Sequence, residues 1–125
     1  VRGNITYEAG SLQIGTSARA YSPFVTVTDA ACVSVNFALG NTFVVTLGGN
    51  RTLKAPANCT AGQGGTIHVI QDGSGSRTLA YNTAWQFVSG TVPTLSTGAS
   101  DVDILCYIAR SATTVDTVLL KNFDR

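Results

Sequence analysis

Short stretches of the chain alternate apolar and polar residues, and this period of two dominates the pattern. Phe24–Thr28 reads as a strand. So does Cys32–Phe37, with Val33, Val35 and Phe37 on one face. In Thr42–Leu47, Phe43, Val45 and Leu47 alternate in the same way, and Thr66–Gln71, Arg77–Tyr81, Val102–Ala109 and Thr114–Leu120 continue the pattern. No window long enough for a helix carries a 3.6-residue period. The spacing predicts an all-β chain, specifically an antiparallel β-sandwich of jelly-roll-like type.

The punctuation between these stretches supports hairpin turns. Ala38–Leu39–Gly40–Asn41 and Gly48–Gly49–Asn50 offer backbone positions that tolerate positive φ. Pro56 and Pro93 break pairing because proline has no N–H to give to a ladder. A weak echo links Gly49-Asn50-Arg51-Thr52-Leu53 with Gly75-Ser76-Arg77-Thr78-Leu79. Two copies are too few for a repeat architecture, so the echo reads as two hairpin exits built alike.

Residues 1–23 behave differently. This stretch carries few consecutive apolar residues, three glycines, and Pro23 at its end. It divides the chain into an N-terminal extended arm, 1–23, and a β-sandwich domain, 24–125. One reading has the arm ordering on a neighbouring subunit through Tyr7, Leu12, Ile14 and Tyr21. Another makes it an ordinary first strand and loop around Leu12–Ile14, and a third leaves it disordered.

Composition narrows the function classes. The chain has 125 residues, 44% of them hydrophobic and only 12% charged. That is about half the charge of an average soluble domain, which suits either a β-rich, Thr/Ser-rich chain or one that covers itself by assembly. The net charge of +1, with no charge block, offers no basic field for nucleic acid. No apolar run approaches the roughly 20 residues of a membrane-spanning helix, and the first twenty residues lack the basic and apolar halves of a signal peptide.

Candidate chemistry is sparse. The most site-like stretch, Gln71–Tyr81, lacks the lysine and following helix of a phosphate loop and the additional acids of a calcium loop. It reads as a turn. His68 is the only histidine, so any Ser or Cys triad must use it, and it lies mid-strand between Ile67 and Val69, on the opposite face. Asp101 and Asp103 share a strand face at an exposed strand start, with Asp103 placed to bond a neighbouring turn backbone; a glycosidase pair normally spans two elements. No spacing suggests a metal site.

Three cysteines and no CxxC pair leave at least one thiol without a partner in its own chain. Cys32 and Cys106 sit in apolar strand patterns and read as buried. Cys59, in a turn-rich segment, reads as exposed and as the first candidate for an intermolecular disulfide. Tyr81, Trp85 and Phe87 fall on one side of an alternating stretch. They read as core, as the rim of an interface centred on Trp85, or as a carbohydrate-stacking platform.

Several of these motifs occur together in a known order. Gly49-Asn50-Arg51-Thr52-Leu53 is followed by Pro56-Ala57-Asn58 and Ala61-Gly62-Gln63. Then come Gln71-Asp72 with Gly75-Ser76-Arg77-Thr78-Leu79, Pro93-Thr94-Leu95 and Asp101-Val102-Asp103-Ile104-Leu105. In this order residues 25–123 resemble a small jelly-roll-like β-domain of tailed-bacteriophage structural proteins. The resemblance implies a non-enzymatic virion protein with no catalytic residues, cofactor or metal to carry over. The shortness of the chain beyond that domain points to the capsid decoration, or cement, type on the capsid exterior, partnered by the major capsid protein and by its own copies as a dimer or trimer. The alternative is a tail-fibre or neck-appendage module that binds a host glycan. The cysteines depart from the family pattern and raise the expectation of cross-linking through Cys59, Cys32 or Cys106.

Overall fold

Alternation puts one face of each strand into a shared core, and the strands are mutually arranged to close that core from two sides. The computed structural model describes Ser17 and residues 19–123. The strands are β1 (Phe24–Thr26), β2 (Cys32–Val33), β3 (Thr42–Leu47), β4 (Arg51–Leu53), β5 (Gly64–Gln71), β6 (Leu79–Tyr81), β7 (Trp85–Phe87), β8 (Val102–Ala109) and β9 (Val115–Leu120). Helical structure among the described residues is limited to a single 3-10 turn, Val88–Gly90. The all-β expectation holds.

The strand directions do not follow the antiparallel expectation. Successive strands β1 to β6 alternate between a six-stranded sheet, ordered β1-β3-β5-β8-β9-β7, and a three-stranded sheet, ordered β2-β4-β6. Within each sheet these returning strands pair in parallel, β1 with β3, β3 with β5, β2 with β4 and β4 with β6. The chain thus winds three coils, β1–β2, β3–β4 and β5–β6, in the manner of a short solenoid. Among the described strands only β5–β8 and β8–β9 are antiparallel, and β7 returns parallel to β9. The jelly-roll layout also passes strands between two sheets, but with antiparallel neighbours. Here each coil re-enters its sheet in the same direction, so the connections after β3 and β5 are corners between sheets and not hairpins.

The parallel register stacks like positions in columns. Val25, Phe43, Ile67, Leu105 and Leu119 face each other across five strands. All point inward, and Phe43, Ile67 and Leu105 are fully buried. From the opposite sheet Val33 and Leu53 complete the core, while Val35 and Phe37 enter from the segment after β2. Phe37 stacks on Tyr107 at 4.7 Å and meets Trp85 edge-on at 6.2 Å.

Gly65 is required at one close approach. The Asn41 carbonyl accepts both the Thr66 amide at 3.1 Å and the Tyr107 hydroxyl at 2.7 Å. A Cβ on Gly65 would sit 1.9 Å from that same oxygen. Because the obstacle is backbone, Gly65→Ala is expected to destabilise by about 1–3 kcal/mol, the range for overpacking a tight interior. Urea denaturation of the two proteins measures the difference. Equal midpoints would show that β3 and β5 are not held this closely.

Candidate functional site

The stretch that looked most like chemistry, Gln71–Tyr81, forms a corner whose polar groups are occupied internally. Gln71 is 3% exposed. Its side-chain amide donates to the carbonyls of Arg77 (2.9 Å) and Ser96 (2.8 Å), and its oxygen accepts the Arg77 amide at 2.9 Å. Asp72 accepts the amides of Ser74 and Gly75 and is gripped by Arg77 from Nε (3.2 Å) and a terminal nitrogen (2.9 Å). Gly75 adopts φ +69, and its backbone lies so close to the 97–99 segment that a Cβ would meet the Thr97 carbonyl at 2.6 Å. The segment is a turn, and a braced one.

The echoed motif performs the same task one coil earlier. Arg51 clamps Asp29 through two nitrogens at 2.7 and 2.9 Å, and Asp29 also accepts the Gly48 amide. In both pairs the arginine's hydrogen bonds hold the carboxyl below its ordinary range, against a smaller opposing effect of desolvation. The two copies are not in ladder register, since Arg51 lies opposite Leu79. They are like corners of successive coils, where the sequence suggested hairpin exits.

Magnitudes rank these devices. Partly exposed Asp–Arg pairs contribute about 0–1 kcal/mol, whereas stranding a buried hydrogen-bonding group costs about 1–3 kcal/mol. Gln71→Leu strands three backbone partners, and Arg77→Met frees a carboxylate that water can reach. The first substitution is expected to lower stability by several-fold more than the second in chemical denaturation. The reverse order would mean that the ion pair, and not the buried amide, holds the corner.

The other singled-out polar residues are also engaged. Asp103 is buried, where the sequence placed it at an exposed strand start; its carboxylate accepts the Ser96 amide at 2.7 Å and the Asn122 amide at 2.8 Å, as the turn-bonding reading expects. Asp101 lies just outside β8 and accepts the Gly98 amide at 2.7 Å. His68 faces away from buried Ile67 and Val69, packs edge-on to Phe24 at 5.0 Å, and is kept neutral by burial. Its Nδ1 has no hydrogen-bond partner among the described residues. Among the described residues no three His, Cys, Asp or Glu side chains gather as metal ligands, and no helix is long and apolar enough to cross a membrane.

The aromatic set divides between the sheets. Tyr81 ends β6 in the small sheet and Trp85 begins β7 in the large one. Trp85 is 3% exposed, and its indole N–H donates to the Lys54 carbonyl at 2.8 Å. Tyr81 packs against Phe87 at 4.7 Å, and burial, with Asp103 adding to it, pushes its phenol far above the ordinary range. Trp85 is therefore a core residue in the single chain, while Tyr81 and Phe87 are half-buried. Tyr21 is 72% exposed with Arg19 over its ring. Tyr7, Leu12 and Ile14 lie outside the described residues.

The cysteines reverse their expected order. Cys32 is exposed, Cys59 and Cys106 are half-buried, and all three are free thiols in the single chain. Cys59 packs against the core, donates to the Ser111 carbonyl at 3.4 Å, and has its thiol pKa raised by burial. A turn-rich sequence marks a loop but not which side chains the loop tucks under. With a thiol-specific label on the native protein, Cys32 is expected to react faster than Cys59. Preferential labelling of Cys59 would contradict its place under the 111–114 turn.

What sequence reasoning missed is the outward side of the large sheet. One row crosses it as Phe24, Thr42, Thr66, Cys106 and Val118, and the next as Thr26, Val44, His68, Ile104 and Leu120. A third, shorter row adds Thr46, Ile70 and Val102. None of these residues carries a formal charge with His68 neutral. At one end the ion-paired Arg110 and Asp116 line an open depression of about 550 Å³ together with Gly65, Val88, Ile108 and Val118. The signal was present as apolar residues at the polar positions of the alternation, notably Val44, Ile70 and Ile104.

Comparison with known proteins finds no matching family model, no matching curated protein and no matching solved structure.

Proposed function

We propose that the chain is a non-enzymatic structural protein of a tailed-phage particle, a decoration or cement protein that binds the capsid exterior and ties neighbouring subunits together. The order of motifs across residues 25–123 supports the phage assignment. The parallel coils depart from the antiparallel jelly-roll layout of the domain they resemble, so the assignment rests on those motifs and on the assembly surfaces, not on a shared strand layout.

The observation that carries the mechanical part is the open first coil. Among the described residues, β1 ends the six-stranded sheet and β2 ends the three-stranded one, so each is paired there on one side only. The arm, residues 1–23, leads directly into β1. Unpaired strand edges accept an added extended segment through main-chain hydrogen bonds with few demands on sequence. An arm from a neighbouring copy, or a strand of the major capsid protein, completes such an edge. Repetition over a symmetric lattice then makes a weak contact effective. Cys32, exposed on β2, is the thiol such a neighbour meets, so a cross-link formed in an oxidising medium runs through it in preference to Cys59.

Particles assembled with a chain lacking residues 1–18 test this reading. The deletion is expected to reduce occupancy on heads and to lower the temperature at which heads release their genome, with the isolated chain's circular dichroism unchanged. Full occupancy and unchanged head stability would refute the arm mechanism.

A further inference from the structure

The outward face of the six-stranded sheet carries eight large apolar side chains, Phe24, Val44, Ile70, Val102, Ile104, Ile108, Val118 and Leu120. Phe24, Ile108, Val118 and Leu120 are 57%, 54%, 45% and 45% exposed. Between them stand threonines, Cys106 and His68, and Asp116 lies opposite Ile108 at one end. Contiguous apolar surface on this scale marks an interaction site. We propose that this face is a two-fold interface with a second copy of the chain.

Several observations select that occupant. Apart from the mutually paired Arg110 and Asp116 at one end, the described residues of the face carry no formal charge for a charged partner to pair with, whereas a second copy supplies a largely apolar surface of the same size. Two sheets stack naturally at about 10 Å with their faces interdigitated. A two-fold arrangement needs only one self-complementary patch. The Arg110–Asp116 pair, with N to O 2.6 Å, lies at the end of the face, in the polar rim position that interfaces favour.

Size points the same way. Five inter-strand spacings of about 4.8 Å and about six residues of about 3.3 Å give a face of roughly 500 Å² in plan. Two copies therefore bury roughly 1,000 Å² or more, the lower end for a specific interface. The arm is a poorer cover. Residues 1–18 hold only Val1, Ile5, Tyr7, Leu12 and Ile14 as large apolar residues, with Arg2 and Glu8 among them. One extended segment covers about one of the three rows. This inference is independent of the virion assignment, because the same face would pair copies in any setting.

Sedimentation of the full chain over a wide concentration range provides the test, together with the alkylation rate of Cys106, which lies within the face. The expected result is a monomer–dimer equilibrium with Cys106 protected as dimer forms. Ile104→Asp is expected to weaken the dimer roughly hundredfold or more, because it places two unpaired carboxylates in the contact. Val118→Lys, at a site already exposed in the monomer, should act in the same direction without loss of fold. A chain monomeric at every concentration overturns the proposal: slow Cys106 alkylation would then assign the face to the chain's own arm, and fast alkylation to a different protein. A dimer that survives both substitutions also overturns it, by placing the interface elsewhere.

Discussion

The structure depends on β1, β3 and β5 returning to the same sheet in the same direction and in register. That constraint puts Val25, Phe43 and Ile67 in one column, so that each coil buries its apolar residues on those of the coil before. It also puts outward residues in columns. Val44 lies beside His68, and His68 beside Ile104. The core and the largely apolar outer face are thus two consequences of one register.

A parallel coil must turn a corner each time it leaves a sheet, and each corner brings backbone polar groups close to an apolar interior. Side chains at these corners satisfy them. Gln71 serves the corner between β5 and β6, binding backbone at Arg77 and Ser96. Gln63 serves the entry to β5, donating to the carbonyls of Phe37 and Gly40 at 2.9 Å each. Asp29 with Arg51 and Asp72 with Arg77 fasten the outer turns. Polar residues that suggest a binding loop in isolation are thereby committed to holding one coil on the next. Among the described residues, the sheet edges β1, β7, β2 and β6 and the outward side of the large sheet are left without a partner.

The chemistry of alternation explains how much could be read in advance. Strand existence followed from period two, and Thr42–Leu47 and Val102–Ala109 appear with their expected bounds. Strand direction did not, because a parallel and an antiparallel neighbour require the same inward and outward alternation. Three-residue strands such as Arg51–Leu53 and Trp85–Phe87 are too short to show a period. The echo of Arg-Thr-Leu was the visible trace of the coil, blurred because successive coils differ in length: Thr42 pairs with Phe24 and also with Thr66. For the candidate site, the turn at Gln71–Tyr81 and the turn-bonding role of Asp103 were legible in residue types. The burial of Trp85 and Cys59 and the exposure of Cys32 were not, since each depends on which distant segment packs over it.

Cross-strand proton contacts in nuclear magnetic resonance spectra test the coil arrangement most directly. The account predicts short backbone contacts that run in step along β3 and β5, with Thr42 near Thr66, Val44 near His68 and Leu47 near Gln71. Contacts running in the opposite sense, with Thr42 near Gln71 and Leu47 near Thr66, would contradict it and remove both the stacked core and the outer face built on that register.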